Sequence, residues 1–381
     1  LVGWGLVERR FSAVYLVIFG SQAMNKFAFE EFCTRDSNRY SKHCGSLEER
    51  CMQFFDKDND GSLSNNEFEE LCQSLFRDAE GKMYSLESAK LEEVFTIFDK
   101  NGDGYLSKEE FNDCWTQWIM TICKPKSALL IIDLQNDFIS GTLSIKQYES
   151  GQDAVEVIPV INNLLNTLDF DLVVYTYDWH PPNHISFYEN VHLRDFHSTC
   201  EILPSEARPY DTVVFNGPPA MEQKLWPLHC VQNTWGAEFH PDLKLLDDAV
   251  FICKGSNPEV DSYSAFWDNH KTSETRLSHI LNEKGITDVF VCGIAYDVCV
   301  GITASHSLEY GYRTILIDDA CRGITNDGIE ATRRNLISNH GLVTHSSQVH
   351  ALLTGRDRHP ELGYLAAQQY VKNFRTSKKP V

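Results

Sequence analysis

Beyond residue 126, short apolar runs rich in β-branched residues alternate with segments whose apolar residues recur at helical spacing. The runs predict strands at 128–132, 172–176, 212–215, 250–253, 289–294 and 314–317. The helical spacing predicts helices at 154–168, 273–284 and 298–310. This alternation is typical of an α/β domain, in which helices cover both faces of a parallel sheet. Sites in such domains lie beyond the carboxyl ends of the strands.

Before residue 124 the pattern changes to two acidic loops with helical flanks. The loops span 56–67 and 99–110, with oxygen-bearing side chains at alternating positions, glycine at the sixth position and glutamate at the twelfth. Calcium prefers six to eight oxygen ligands, and this spacing supplies them. The candidate calcium ligands are Asp56, Asp58, Asp60, Ser62 and Glu67 in the first loop and Asp99, Asn101, Asp103, Tyr105 and Glu110 in the second, with Ser62 and Tyr105 acting through their carbonyls.

Apolar residues flank both loops at helical spacing, so residues 45–120 resemble an EF-hand pair. The flanking residues are Phe54, Phe55, Phe68 and Leu71 around the first loop and Val94, Phe95, Phe98, Phe111 and Trp115 around the second. We therefore expect a small all-α domain that binds two calcium ions. Sensor and buffer EF-hands share this loop, so the choice between them stays open.

Composition and charge exclude several classes of protein. The 381 residues suffice for two or three domains, and the hydrophobic fraction of 42% excludes a disordered chain. A formal net charge of −20 disfavours nucleic acid and anionic membrane surfaces as partners. About half of that excess lies between Met24 and Cys123, where 21 residues are acidic and 11 are basic.

The twelve cysteines are spread from Cys33 to Cys321 without a Cys-x-x-Cys pair, and the chain has no Asn-x-Ser/Thr sequon. Both observations favour reduced thiols and a cytoplasmic location. The alternative is secretion, because the apolar run at 11–19 follows Arg9 and Arg10 as in a signal peptide, although it is too short to span a membrane.

Candidate chemistry lies at the ends of the predicted strands. Asp133 follows the first strand, where it is either a reactive carboxylate or a loop acceptor, and Lys254 follows the fourth. Cys299 falls in the first turn of a predicted helix, whose positive end favours the thiolate and lowers the thiol pKa. Cys292 lies within a strand and is interpreted as a packing residue.

Asp178, His180 and His229 offer one oxygen and two nitrogen donors. This set suits zinc, and also iron or manganese, and three protein ligands leave positions open for substrate. His184 is either a fourth ligand or a hydrogen-bonding residue of the loop.

Five motifs together resemble the isochorismatase-like cysteine hydrolases, and within them the nicotinamidases, including the animal ones that carry an EF-hand region. The motifs are Asp-Leu-Gln-Asn-Asp-Phe at 133–138, Asp-Trp-His at 178–180, Trp-Pro-Leu-His-Cys at 226–230, Lys-Gly at 254–255 and Gly-Ile-Ala-Tyr-Asp-Val-Cys at 293–299. The resemblance covers residues 127–350. It implies a catalytic triad of Cys299, Asp133 and Lys254, and metal ligands at Asp178, His180 and His229, with His184 matching a ligand of some members only.

The resemblance also implies a substrate pocket and an oxyanion site. Phe138, Trp226 and Tyr263 match the pocket, although the spacing around Tyr263 departs from the family pattern. Backbone N–H groups of Ala295 and Cys299 match the oxyanion site. The implied reaction converts nicotinamide to nicotinate and ammonia in NAD salvage, with a metal that binds the pyridine nitrogen.

Two alternatives remain open on the sequence alone. One is another hydrolase of the same fold, either a different amidohydrolase or an isochorismatase. The other is a calcium sensor whose hydrolase-like region is an inactive scaffold. Calcium either modulates the hydrolase or stabilises the fold, and the sequence does not predict the oligomeric state.

The predicted organisation has five segments. They are a candidate leader at 1–23, non-native or untranslated because the first methionine is Met24, an EF-hand domain at 24–123, a linker at 124–126, an amidase domain at 127–352 and a C-terminal extension at 353–381. Residues 24–44 are a candidate for a further, degenerate helix pair.

Overall fold

A computed structural model of the protein describes residues 46–217 and 219–377. These residues form two compact units, one made of 46–125 with 351–377 and the other of 126–350. The candidate leader at 1–23 and the candidate helix pair at 24–44 lie outside the described residues. The described part of the 353–381 extension belongs to the same unit as the EF-hand segment.

The EF-hand segment consists of two helix–loop–helix hands. Its elements are α1 (Leu47–Phe55), β1 (Leu63–Ser64), α2 (Asn65–Leu75), α3 (Ser88–Phe98), β2 (Tyr105–Leu106), α4 (Lys108–Cys114), a π-helical turn (Trp115–Ile119) and α5 (Met120–Cys123). Strands β1 and β2 pair antiparallel, with Leu63 opposite Leu106. Ser64 and Ser107 are the N-cap residues of α2 and α4 and form capping boxes with Glu67 and Glu110.

The larger unit contains a six-stranded parallel sheet and a separate hairpin. Its strands are β3 (Ser127–Ile132), β4 (Leu172–Asp178), β5 (Thr212–Phe215), β6 (Met221–Lys224), β7 (Val250–Lys254), β8 (Asp288–Ile294), β9 (Arg313–Arg322) and β10 (Leu342–Thr344). The sheet order is β10, β9, β8, β3, β4, β7, and every neighbouring pair is parallel.

Seven further α-helices follow the EF-hand segment in the part of the chain that the structure describes. They are α6 (Asn136–Ile139), α7 (Val157–Thr167), α8 (Leu277–Glu283), α9 (Gly301–Tyr310), α10 (Asn326–Ser338), α11 (Val349–Leu353) and α12 (Pro360–Ser377). Every residue of β3 and β8 is buried, because both faces of the central sheet are covered. The predicted fold class, a parallel α/β sheet with a small EF-hand domain, is confirmed.

Two predicted elements were wrong in part. Residues 212–215 do not join the parallel sheet, because β5 pairs antiparallel with β6. Burial alternates along β5, as expected of a strand with one covered face rather than two. The helix predicted at 273–284 is confined to α8, since Thr272 and Ser273 instead bind the Asp268 carboxylate.

Across residues 46–217 and 219–377, no helix combines the length and the apolar character needed to cross a membrane.

Candidate active site

Four neighbouring strands carry charged or nucleophilic residues at their carboxyl ends. Asp133 follows β3, Asp178 ends β4, Lys254 ends β7, and Cys299 lies in the first turn after β8. In space these strands are ordered β8, β3, β4, β7, and Asp178 pairs directly with Lys254 in the strand register. Strands β4 and β7 lie on one side of β3, and the later strands β8, β9 and β10 lie on the other side. Crevices form at such a reversal of strand order, the topological switch point.

The structure brings together the three residues that the resemblance assigns to the triad. Lys254 Nζ lies 2.8 Å from Asp133 Oδ2 and 3.5 Å from Cys299 Sγ. It also forms an ion pair with Asp178. Side-chain atoms of Asp133, Asp178 and Cys299 all lie within 4.8 Å of one another. A base, a cation and a sulfur therefore lie together in one buried site at the carboxyl ends of the strands.

The backbone fixes the position of Asp133. This residue has a φ of 53°, a conformation that non-glycine residues rarely adopt. The Thr176 hydroxyl donates a hydrogen bond of 2.7 Å to Asp133 Oδ1. Burial raises the pKa of Asp133, while Lys254 and Thr176 oppose the shift. The carboxylate is thus tuned by its surroundings as expected of a proton-transfer group.

Electrostatics set the resting state of the sulfur. Burial would lower the pKa of Lys254, but attraction to Asp133 and Asp178 outweighs it and holds that pKa well above its usual value. Burial raises the pKa of the Cys299 thiol well above its usual value, and Lys254 offsets only part of the shift. The prediction of a lowered thiol pKa from the helix end alone was wrong, because burial dominates.

Cys299 lies in a π-helical turn (Tyr296–Val300) that precedes α9. Ala295, just before the turn, has a φ of 62°. Ala295 and Cys299 both line the cavity beside the triad. The oxyanion role of their N–H groups stays a prediction, now with the two residues placed at the cavity wall.

The three predicted metal donors converge next to this triad. Donor atoms of Asp178, His180 and His229 lie within 4.8 Å of one another, and all three residues are buried. His180 Nδ1 donates to the Gly255 carbonyl at 2.9 Å, and His229 Nδ1 donates to the Pro227 carbonyl at 2.8 Å. Because a carbonyl only accepts, each Nδ1 carries a hydrogen, and in the neutral ring the Nε2 atom presents its lone pair.

Those Nε2 atoms face the Asp178 carboxylate, at 3.5 Å from His180 and 4.0 Å from His229. Within the described chain, the buried Nε2 of His180 has no hydrogen-bond partner. Burial lowers the pKa of His229 to about 4, so its lone pair is available at neutral pH. The donor set and the orphaned nitrogen fit a divalent transition metal.

Gly255 is required where His180 packs against the end of β7. Its φ is 67°, and a Cβ atom there would lie 2.3 Å from His180 Cε1. Any larger residue would strain the backbone and displace the imidazole. The Lys-Gly motif thus supplies Lys254 and the space for His180.

His184 belongs to a second donor group, next to the one formed by Asp178, His180 and His229. Its Nδ1 lies 2.7 Å from Ser186 Oγ, and its donor atoms cluster with those of His180 and Asp261. Burial lowers the pKa of His184 to about 3. Sequence reasoning missed Asp261, a buried carboxylate that also lines the cavity. No motif signals it, because it lies in an irregular loop.

The segment that follows Asp133 holds the metal-donor loops. The Gln135 side chain bonds to both backbone groups of Asp178. Asp137 Oδ2 accepts the N–H of Cys230 at 2.7 Å, which fixes the residue after His229. Gln135 and Asp137 are buried, so these bonds are shielded from water. One motif therefore carries the candidate base and anchors two candidate metal donors.

The predicted pocket residues Phe138, Trp226 and Tyr263 all line one cavity together with Cys299 and the metal donors. Trp226 Nε1 donates to the Tyr263 hydroxyl at 3.1 Å, which places Tyr263 at the site despite its unusual spacing. The structure adds apolar and aromatic walls that the sequence did not signal. These are Leu143, Ile145, Tyr148, Val298 and Ile324.

The two predicted calcium loops are described by the contacts of their acidic residues. In the first loop, carboxylate oxygens of Asp56, Asp58 and Glu67 lie within 4.8 Å of one another. In the second loop, Asp99 accepts the N–H groups of Gly102 at 2.8 Å and Gly104 at 3.0 Å. The remaining candidates Asp60, Ser62, Asn101, Asp103, Tyr105 and Glu110 lie in the same two loops.

Comparison with family models matches residues 127–348 to an isochorismatase domain and residues 47–115 to an EF-hand domain pair. A nicotinamidase of Acinetobacter baylyi is 40% identical over 202 residues, covering 53% of this chain and 83% of the relative. A nicotinamidase of Schizosaccharomyces pombe is 41% identical over 204 residues, covering 52% and 84%. A solved nicotinamidase/pyrazinamidase structure from Acinetobacter baumanii is 38% identical, with a TM-score of 0.50, covering 59% of this chain and 98% of that one.

Proposed function

The chain belongs to the isochorismatase family, and from that premise we propose that it is a metal-dependent cysteine amidohydrolase that converts nicotinamide to nicotinate and ammonia. The observation that carries the proposal is the contact of Lys254 with both Asp133 and Cys299, since Cys299 lines a cavity together with the candidate metal donors. Relatives that share the whole domain are nicotinamidases. Supply of nicotinate would place the protein in NAD salvage.

The first half of the reaction forms a thioester. Asp133 takes the proton of the Cys299 thiol as the sulfur attacks the amide carbon, because burial raises the pKa of this thiol and a base is needed to remove its proton. Lys254, 3.5 Å from the sulfur, stabilises its developing negative charge. N–H groups of Ala295 and Cys299 hold the carbonyl oxygen as it becomes an anion. Asp133 then returns the proton to nitrogen as the C–N bond breaks, which releases ammonia.

The second half consumes water. Asp133 takes a proton from a water molecule that attacks the thioester carbon. The C–S bond breaks, the sulfur recovers a proton, and nicotinate leaves. Asp133 thus acts in both halves as the base.

Ring recognition is assigned to the other wall of the cavity. Asp178, His180 and His229 would hold zinc, iron or manganese, and the bound metal would supply a Lewis acid for the pyridine nitrogen. Phe138 and Trp226, which line the cavity, would pack on the ring. Selection of a pyridine carboxamide then depends on two groups of the cavity: the metal, which would accept the lone pair of the ring nitrogen, and the Cys299 sulfur, which would attack the amide.

The test is ammonia release from nicotinamide by the purified full chain. Cys299→Ala is expected to reduce release to background, and Cys200→Ala, a control thiol in another part of the unit, is expected to leave it unchanged. Turnover retained by Cys299→Ala would overturn the nucleophile. A wild-type chain that hydrolyses other amides or isochorismate but not nicotinamide would support another hydrolase of this fold, and no hydrolysis at all would support the scaffold alternative.

We further propose that the two EF-hand loops bind calcium. The family match to an EF-hand pair and the convergence of Asp56, Asp58 and Glu67 support this. Calorimetric titration of the full chain should give two calcium ions per chain, and a titration that shows no calcium binding would refute the proposal.

We also propose a cytoplasmic location. Ten cysteines of the described residues are free thiols, and a reducing compartment keeps thiols in this state.

A further inference from the structure

The C-terminal helix α12 packs into the apolar core of the EF-hand pair. Ala367 is fully buried within that core, and Tyr364, Ala366 and Tyr370 pack against it. EF-hand pairs that open expose such an apolar face and bind amphipathic target helices with it. Here a helix of the same chain covers the face.

The contact is close along the first turns of α12. Trp118 Nε1, at the centre of the EF-hand core, donates a hydrogen bond of 2.8 Å to the Gly363 carbonyl. A Cβ atom at residue 363 would lie 2.4 Å from Phe76 Cε1. Glycine at 363 therefore lets the helix backbone approach the aromatic core directly.

The segment that leads into α12 binds the first hand. Arg358 is buried and its guanidinium donates to the carbonyl of Leu75, the last residue of α2, at 2.5 Å. A cation at this end of a helix satisfies terminal carbonyls and complements the helix dipole. Lys90 Nζ also pairs with Glu361 Oε1 at 2.6 Å, which links α3 to the start of α12.

The far part of α12 reaches the second calcium loop. The Tyr370 ring stacks on Phe98 with centroids 5.2 Å apart, and the Tyr370 hydroxyl hydrogen-bonds to Lys100. Phe98 and Lys100 are the residues on either side of Asp99, the first ligand of that loop. Because Asp99 lies between Phe98 and Lys100, we expect a movement of Asp99 on calcium binding to be transmitted to both contacts of Tyr370.

We propose that α12 is the resident target helix of the EF-hand pair, and that its docking is thermodynamically coupled to calcium at the second loop through Tyr370. The proposal rests on the proposed binding of calcium by the EF-hand loops. Coupling of two binding events is reciprocal, so calcium tightens α12 by the same factor as α12 tightens calcium.

The test is hydrogen–deuterium exchange of α12 in the full chain with saturating calcium. Glu110→Gln removes the charge of the last loop ligand but keeps a side chain that caps α4. Glu109→Gln is the matched control, because Glu109 is exposed and lies next to it outside the ligand positions. We expect exchange in α12 to be at least about fivefold faster in Glu110→Gln than in the wild type, and unchanged in the control.

The reciprocal measurement is calcium affinity. Tyr370→Ala is expected to weaken calcium binding at one of the two sites by the factor by which Glu110→Gln speeds exchange in α12. Tyr370→Phe keeps the ring on Phe98 and is expected to weaken calcium binding less. Tyr370 is only half-buried, and circular dichroism of each variant establishes that it folds. If the wild type binds calcium and α12 exchanges equally in wild type and Glu110→Gln, the coupling is overturned and calcium binding stands. If no calcium binds, both are overturned.

Discussion

The side chain of Gln135 clamps the backbone of Asp178 at both of its polar groups. The Asp178 N–H donates to Gln135 Oε1 at 2.7 Å, and Gln135 Nε2 donates to the Asp178 carbonyl at 2.8 Å. Nε2 also donates to the Ala237 carbonyl at 2.9 Å. Gln135 is fully buried, so the clamp sets the position of a proposed metal donor and of its ion pair with Lys254.

We predict that Gln135→Leu destabilises the protein by about 1–3 kcal/mol, because it leaves buried backbone groups without partners. It should also lower metal content and turnover together. Gln135→Glu should have a similar effect on metal content, because its second oxygen faces two carbonyls. Thermal unfolding and metal analysis measure both changes. Gln147→Glu, the same change at an exposed site of this unit, is the control, and full metal content in Gln135→Leu would refute the clamp.

A second prediction concerns Gly255 and His180. Gly255→Ala should reduce metal affinity and turnover, because the added methyl group would overlap the His180 ring. Gly285→Ala is a matched control, since Gly285 has a φ of 66° and its nearest neighbours lie 3.9 Å from an added Cβ. Both variants should lose about 1–2 kcal/mol of stability from backbone strain. Only Gly255→Ala should lose metal, and equal losses of metal in the two would contradict the overlap.

A third prediction concerns the pKa of Asp133. Burial raises this pKa, and the hydrogen bond from Thr176 lowers it. Thr176→Val removes that bond at nearly constant shape, so the pKa of Asp133 should rise further. Because the proposed base must be ionised before it accepts a proton, the acidic limb of the kcat/KM profile should move to higher pH. The loss of activity should be largest at low pH and vanish at high pH.

The comparison variant is Thr314→Val, which removes a buried hydroxyl bonded to Ser307 away from the site. Its kcat/KM profile should keep the wild-type acidic limb. A Thr176→Val profile that is lowered equally at every pH would mean that Thr176 only positions Asp133 and does not tune it.

The sequence predicts most of the sheet and the residues that it delivers to the site. Asp133, Asp178, Lys254 and Cys299 each follow a recognisable apolar run, and parallel strands bring their carboxyl ends to one edge. The strand order was not predictable, because periodicity does not encode which strands are neighbours. The Lys254 contact with Asp178 therefore appears only in the structure.

Other features depend on contacts between distant residues and leave no local signal. The raised thiol pKa of Cys299 results from burial by the whole fold, which overrides the local helix end. Asp261 lies in a loop without a motif, and β5 has the composition of a sheet strand although it forms a hairpin. Likewise, the sequence of α12 is that of a polar extension, and only the structure shows that Gly363 and Tyr370 contact the EF-hand core.

The last prediction separates the metal donors from the triad. His229→Ala should remove most of the bound transition metal and nearly all turnover, because only Asp178 and His180 remain of the three donors. Alkylation of Cys299 by iodoacetamide should continue at close to the wild-type rate, since its contact is with Lys254 rather than with His229. His192→Ala, at an exposed histidine, should change neither quantity. Wild-type turnover without metal would remove the metal from the proposed reaction, whereas loss of alkylation would show that the two groups act as one.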